Sequence, residues 1–375
     1  MNAFDPLTHS QQRLLALLKL ALWNTVPDKA LFEKADDVVW NEVYRLSAEQ
    51  GVKAIVFDGI MLLPGELHPS RSIKLTWAFN VETIERRYEQ EVAIANEIAS
   101  IFAKNDIKML LFKGIGLAQY YPVPKHREFG DLDCYLFGQQ EEGNRLLIQS
   151  GAMKEKFEIG KHVTGLRYKG ISIENHAFFL HKDIIHKATL LEAHLLHTLD
   201  TCKPAMSQGI IDTALFPPPD FNAIYMTCHA LGHFLGGPLA LRHFCDWALF
   251  LKANKGTIDF TTYRQMIEES GFTKFADAFT SLTVKYLDLD SELAPPFDNN
   301  PVLEDRMIQE SFKPLFVPTI EQRSIPKAVL YKIKVLKSRK WKYDMYYHPK
   351  RFSKYIWSSI ISHIGHPASI TNLRK

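Results

Sequence analysis

At 375 residues, with 46% hydrophobic and 23% charged side chains, the chain is long enough for two or three folding units and has an ordinary globular composition, which excludes global disorder and fibrous repeats. The formal net charge of +3 is unevenly spread: residues 327–375 carry twelve Lys or Arg against the single acid Asp344, a local +11, leaving −8 for residues 1–326. Four cysteines (Cys134, Cys202, Cys228, Cys245) without C-x-x-C spacing argue against both a zinc site and a disulfide framework and fit a reducing cytoplasm.

The N-terminal stretch lacks a basic leader, and its apolar run is interrupted by Gln12, Arg13 and Lys19. It therefore reads as an amphipathic helix, with neither a secretion signal nor a transmembrane segment, and the expected location is cytoplasmic. Helical spacing continues through "DDVVWNEVYRLSAEQGV" and a long run from Arg71 that stops at Asn105-Asp106, which defines an N-terminal helical region over 1–105. The pattern then changes. "IKMLLF" (107–112) reads as a buried strand, "IGLAQYY" as a short helix ended by Pro122, and "DLDCYLF" as a half-buried strand. A helical "EEGNRLLIQSG" and two further strands, "HVTGLRYK" and "ISIENHAFFL", complete an α/β core over 106–200. From 201 to 295 the chain reads as helix again, with a break at Gly236-Gly237-Pro238. Residues 296–375 form a linker and a basic, aromatic C-terminal tail, which reads either as a surface for nucleic acid or an anionic membrane, or as a helical element packed on the body. The fold class expected is α+β.

Asp131 and Asp133 lie at i and i+2 of a strand, so both carboxylates leave from one face while Leu132 and Cys134 take the other. Two ionised carboxylates so close repel unless a cation, a basic side chain or water offsets them. Magnesium suits such a pair, because it is hard, prefers oxygen and usually keeps substrate phosphates as further ligands. The same pair also reads as a solvated strand edge. Lys113-Gly114 before a helix offers backbone amides to an anion, and Lys113 and Arg127 add positive charge for a polyphosphate. The plainer readings are a solvent-facing Lys113 and a salt bridge from Arg127 to Glu128 or Asp131. Alternation in "GISIENHAFF" puts Ser172, Glu174 and His176 on one face, so Glu174 is the candidate third acid for a site holding two ions. Otherwise Glu174 and His176 are a polar strand face. His176 orients Glu174, meets the nucleotide or acceptor, or is a buried histidine satisfied by a carbonyl. His229 and His233, at i and i+4, read as helix residues on the core or lining a cleft, since His-x-x-x-His without an acid is weak evidence for zinc. Arg242 and Asp246 read as a pair on a helix surface.

Lys113-Gly114 after an apolar strand, Arg127 and "GDLDCYLF", "IENHAFF" and the helical "CHALGHFLGGPLALRHFCDWALFL" together resemble the uncharacterised bacterial nucleotidyltransferase family of the DNA polymerase beta-like superfamily. The resemblance covers about residues 40–290. It implies a small mixed-sheet nucleotidyltransferase core flanked by N-terminal and C-terminal helical regions. It also implies transfer of a nucleoside monophosphate from an NTP to an unknown acceptor, with release of pyrophosphate and two Mg or Mn ions. By position, Asp131 and Asp133 would bind both ions, Glu174 would complete one site, and Gly114 would contact the phosphates. Gly114 is followed by Ile115 where the superfamily has Gly or Ser, and sixteen residues separate it from Asp131, a longer spacing than usual. An RNA-modifying enzyme using the basic tail and a non-catalytic nucleotide-binding scaffold are the alternative readings.

Overall fold

A computed structural model describes residues 6–155, 163–181, 185, 187–202, 204–206, 210–312, 333–334, 337–343 and 345. The N-terminal region folds as α1 (His9–Trp23), α2 (Asp37–Glu49), α3 (Lys53–Met61) and the 33-residue α4 (Arg71–Ala103). Helix α1 opens with a reciprocal cap, in which Thr8 and Gln11 each accept from the other's backbone amide. The carboxylate of Asp36 accepts from the Val39 amide at the start of α2. Helices α1 and α3 cross so closely that a Cβ on Gly59 would stand 2.2 Å from the Leu17 carbonyl oxygen.

The chain continues through β1 (Met109–Leu111), α5 (Gly114–Ala118), β2 (Asp131–Tyr135), α6 (Gln140–Gln149), β3 (Met153–Lys154), β4 (Val163–Tyr168), β5 (Ile171–His176) and α7 (Ala188–Cys202). Then come β6 (Ala205–Met206) and β7 (Ala214–Phe216), which correct the expectation that the stretch from 201 to 295 is helical from its start. All seven strands join one mixed sheet in the order β3-β4-β5-β2-β1-β7-β6. Strand β2 is central, parallel to β5 and antiparallel to β1. The α+β class and the flanking helices are as expected.

Pleating sends alternate side chains to opposite faces. On one face Leu132, Cys134 and Ile173 pack with Ile98 and Phe102 of α4 and Leu147 of α6. On the other, Leu110, Phe112 and Tyr135 join the larger core. That core includes α8 (Pro219–Gly236), α9 (Leu241–Ala253), α10 (Phe260–Glu269), α11 (Thr273–Leu287) and α12 (Pro301–Phe312). The Asp131 and Asp133 side chains share this second face, so the two acids sit between the sheet and the C-terminal helices.

The basic tail expected to meet nucleic acid or an anionic surface lies mostly outside the described residues. Within them, Lys342 is buried, and its ammonium donates to the carbonyls of Phe234 at 2.6 Å and Gly237 at 2.7 Å, with Glu310 at 2.8 Å. No helix of the described residues is long and apolar enough to cross a membrane.

Candidate active site

The turn from β1 into α5 is made by Lys113 at φ 60° and ψ −145°, followed by Gly114 at φ 21°. The Lys113 conformation belongs to a region used almost only by glycine and costs of order 1–3 kcal/mol. A Cβ on Gly114 would lie 3.4 Å from both the Asp131 carbonyl and the Phe129 ring, so the turn is seated directly on the start of β2. What the strained turn achieves is aim: Lys113 Nζ lies 2.6 Å from Asp133 Oδ1, and both groups are largely or fully withdrawn from water. This sets aside the solvent-facing reading of Lys113.

Parallel pairing of β2 with β5 places Asp131 opposite Ser172, Asp133 opposite Glu174 and Tyr135 opposite His176. His176 Nε2 lies 2.9 Å from Asp133 Oδ1 and 3.6 Å from Glu174 Oε2. Asp133, Glu174 and His176 each offer a ligand atom within 4.8 Å of the other two; Asp131 is not one of the three. The strand-face reading of Glu174 is thus correct as to face, and that face is the wall of a cleft.

Charge is distributed unevenly. Burial would raise the Asp133 pKa, but the Lys113 ammonium and the His176 imidazole outweigh it and hold the group at about 2. Asp131 goes the other way: burial and the charge of Asp133 push it up to about 6. Burial opposes protonation of His176, but its bonds to Asp133 and Glu174 prevail and raise its pKa. Lys113 is held above its ordinary value, since the attraction of Asp133 exceeds the cost of burial.

Two adjoining cavities meet here. A cleft of about 430 Å³ is lined by Lys113, Glu174, His176, Tyr225, His229 and His233. A smaller cavity of about 130 Å³ is lined by Gly114, Arg127, Asp131, Asp133, Arg242 and His243, among others. Arg127 does not pair with Glu128 or Asp131. Its Nε and Nη2 grip the buried Asp246 at 2.7 and 2.8 Å, and Tyr121 donates to the same carboxylate at 2.6 Å. Its Nη1 is buried and has no hydrogen-bond partner among the described residues, which leaves one donor for an anion in the smaller cavity. The expected surface pair of Arg242 and Asp246 is therefore absent: Asp246 faces inward, and Arg242 donates to the Glu128 carbonyl at 2.9 Å.

The residues expected from sequence, Lys113, Gly114, Arg127, Asp131, Asp133, Glu174 and His176, all line one or both cavities. Tyr225, Arg242 and His243 were not foreseen. Only the position of His243 seven residues past the Gly236 break hints at it, because that break turns the first residues of α9 back toward α8.

Two carboxylates and an imidazole around a cleft, beside a third carboxylate, Asp131, whose charge is resisted by its surroundings, are a chemically reasonable set for a divalent cation. Residues 36–288 match the uncharacterised nucleotidyltransferase family, and the chain belongs to that family. The class of reaction is accordingly nucleotidyl transfer. Neither a curated protein nor a solved structure matches the chain.

Proposed function

We propose that the protein transfers a nucleoside monophosphate from an NTP to a hydroxyl of an acceptor, with release of pyrophosphate, and that it uses magnesium or manganese. The observation that carries this reading is the parallel register that sets Asp133 beside Glu174 and His176 on a covered sheet face, next to the buried Lys113. Asp133, Glu174 and His176 would hold one ion, and Asp131 with Asp133 would share a second. The oxygen donors suit magnesium, and the imidazole is better suited to manganese. A bound ion would offset charge on the phosphates of the nucleotide.

The chain's own residues supply the rest. Lys113 neutralises Asp133 in the metal-free protein and stands at the junction of the two cavities, within reach of both. Arg127 and Arg242 bring positive charge to the Gly114 side, where the triphosphate would lie. Helix α5 has only five residues and thus a small dipole, so these side chains carry most of the attraction. Catalysis on such a site is positioning combined with charge stabilisation.

The test is binding of a non-hydrolysable NTP by calorimetry with and without Mg or Mn, alongside pyrophosphate release from each common NTP. Wild-type protein should bind only with the ion, and Asp133→Asn should bind at least tenfold more weakly. Ion-dependent binding that is unchanged in Asp133→Asn would overturn the site.

A further inference from the structure

Three histidines that the carboxylate site does not use meet on the opposite wall of the cleft. His229 and His233 are one turn apart on α8, and the break after Gly236 folds α9 back so that His243 reaches them. Ring centroids lie 4.5 Å apart for His229 and His233, 4.6 Å for His233 and His243, and 6.0 Å for His229 and His243. Each ring offers a nitrogen within 4.8 Å of the others, and the Nε2 atoms of His229 and His233 are 3.1 Å apart. Nitrogens bound tetrahedrally to one zinc ion at about 2.0–2.1 Å stand about 3.3 Å from each other. One pair has already reached that separation, and small side-chain rotations would bring in the third.

We propose that His229, His233 and His243 bind one divalent transition-metal ion of the zinc class, at a site separate from the carboxylates, with a remaining coordination position facing the cleft. Three neutral nitrogen donors without a carboxylate suit zinc, cobalt, nickel or copper and do not suit magnesium or calcium. The cysteine spacing gave no reason to expect zinc, but here all the ligands are histidines. His243 Nδ1 donates to the Ala240 carbonyl at 3.1 Å, which fixes its tautomer and leaves Nε2 with a free lone pair, as the outer partners of metal-binding histidines do. The His229 ring lies nearly parallel to Tyr225, 18° between planes, which restrains its rotation. Burial, and the positive charges of Lys113 and Arg242, disfavour protonation of His229, so the neutral imidazole that ligation requires is the resting form, and an entering ion would displace the proton that the His229 and His233 Nε2 atoms share. His233 and His243 are likewise pushed down, to about 4 and about 3, by burial first and neighbouring charge second.

The same positive neighbours define the fourth ligand. With Lys113 and Arg242 close by, the open position favours an anionic oxygen, from a phosphate, a carboxylate or a deprotonated hydroxyl. His229 and His233 line both cavities, so that oxygen would stand across the cleft from Glu174 and Asp133. Assigning it to the acceptor rests on the nucleotidyl-transfer reading, whereas the ion site itself does not.

Untagged full-length protein, stripped with a chelator and titrated with cobalt, should develop visible d–d absorption that saturates at one ion per chain and is displaced by zinc. His233→Ala removes the most solvent-accessible of the three ligands, whose ring lies at the mouth of the cleft, and should leave the fold intact by circular dichroism. It should weaken the ion by more than the roughly 10–100-fold that loss of an outer-shell partner costs, and His243→Ala should do the same. Asp133→Asn should retain the band. Absence of the band in wild type, or a band that survives His233→Ala and disappears in Asp133→Asn, would overturn the proposal, the latter by assigning the ion to Asp133, Glu174 and His176. A retained histidine-dependent band in protein that never binds an NTP would support the ion site while removing the proposed function.

Discussion

Arg127 and Asp246, far apart in sequence, form a buried two-pronged ion pair that joins the loop before β2 to α9. Breaking such a pair strands a charge out of water and costs about 3–5 kcal/mol, whereas replacing both partners with apolar residues is often close to neutral. Arg127→Met should therefore lower the urea midpoint sharply, and Arg127→Met/Asp246→Leu should recover most of the loss. If the spare Nη1 meets a phosphate, nucleotide affinity stays low in the double variant. Recovery of affinity together with stability would reduce Arg127 to a structural strut.

Lys113 is the counter-charge of Asp133 in metal-free protein. Lys113→Met should lose up to about 3–5 kcal/mol, because the buried carboxylate then keeps only its bond to His176. A divalent ion can take over that role, so manganese should raise the melting temperature of the variant more than that of wild type. Equal shifts in the two proteins would mean that the ion does not share Asp133 with Lys113.

His126 ties the loop before β2 to two helices, with Nδ1 2.6 Å from Asp58 and Nε2 2.8 Å from Glu85. Burial opposes its protonation, but the two carboxylates prevail and raise its pKa. The sign follows: the contribution is complete below the unfolded value of about 6.5 and is lost as pH rises through the higher folded value. Hydrogen bonds to charged groups contribute about 1.5–3 kcal/mol, so His126→Gln should be destabilised by that order at pH 6. The gap between His126→Gln and wild type in urea unfolding should narrow at pH 9. A gap that widens with pH would contradict the assignment.

Glycine to alanine usually stabilises a helix, yet the two sites here should respond with opposite sign. At Gly59 the added carbon meets the Leu17 carbonyl at 2.2 Å, and the forced separation of α1 from α3 should cost about 1–3 kcal/mol. At Gly232, where nothing lies within 4 Å, alanine should gain about 0.5–1 kcal/mol. Thermal melts of the two variants decide the matter.

The strands that carry the candidate site were legible because a period of two is a local property: Leu132, Cys134 and Ile173 fall on one face and Asp133 and Glu174 on the other without reference to the rest of the chain. Strands β6 and β7, of two and three residues, were not, since so short a segment is extended only because a neighbouring strand pairs with it. The partner of Asp246 was missed for a related reason. Spacing along α9 suggested Arg242, but burial demanded a charge from elsewhere, and Arg127 comes from a loop that no periodicity connects to that helix. His243 was overlooked because its meaning depends on how the chain turns after Gly236.

The buried Lys342 makes the cleft depend on a residue far away in sequence. Its ammonium satisfies the Phe234 and Gly237 carbonyls at the end of α8, beside His233 and Pro238 on the rim of the cleft. Those carbonyls lie more than a hundred residues before the ammonium that reaches them. The rim of the cleft is thus tied by hydrogen bonds to the C-terminal segment, so a chain shortened before residue 342 would keep the sheet and its acids but lose the group that braces the end of α8.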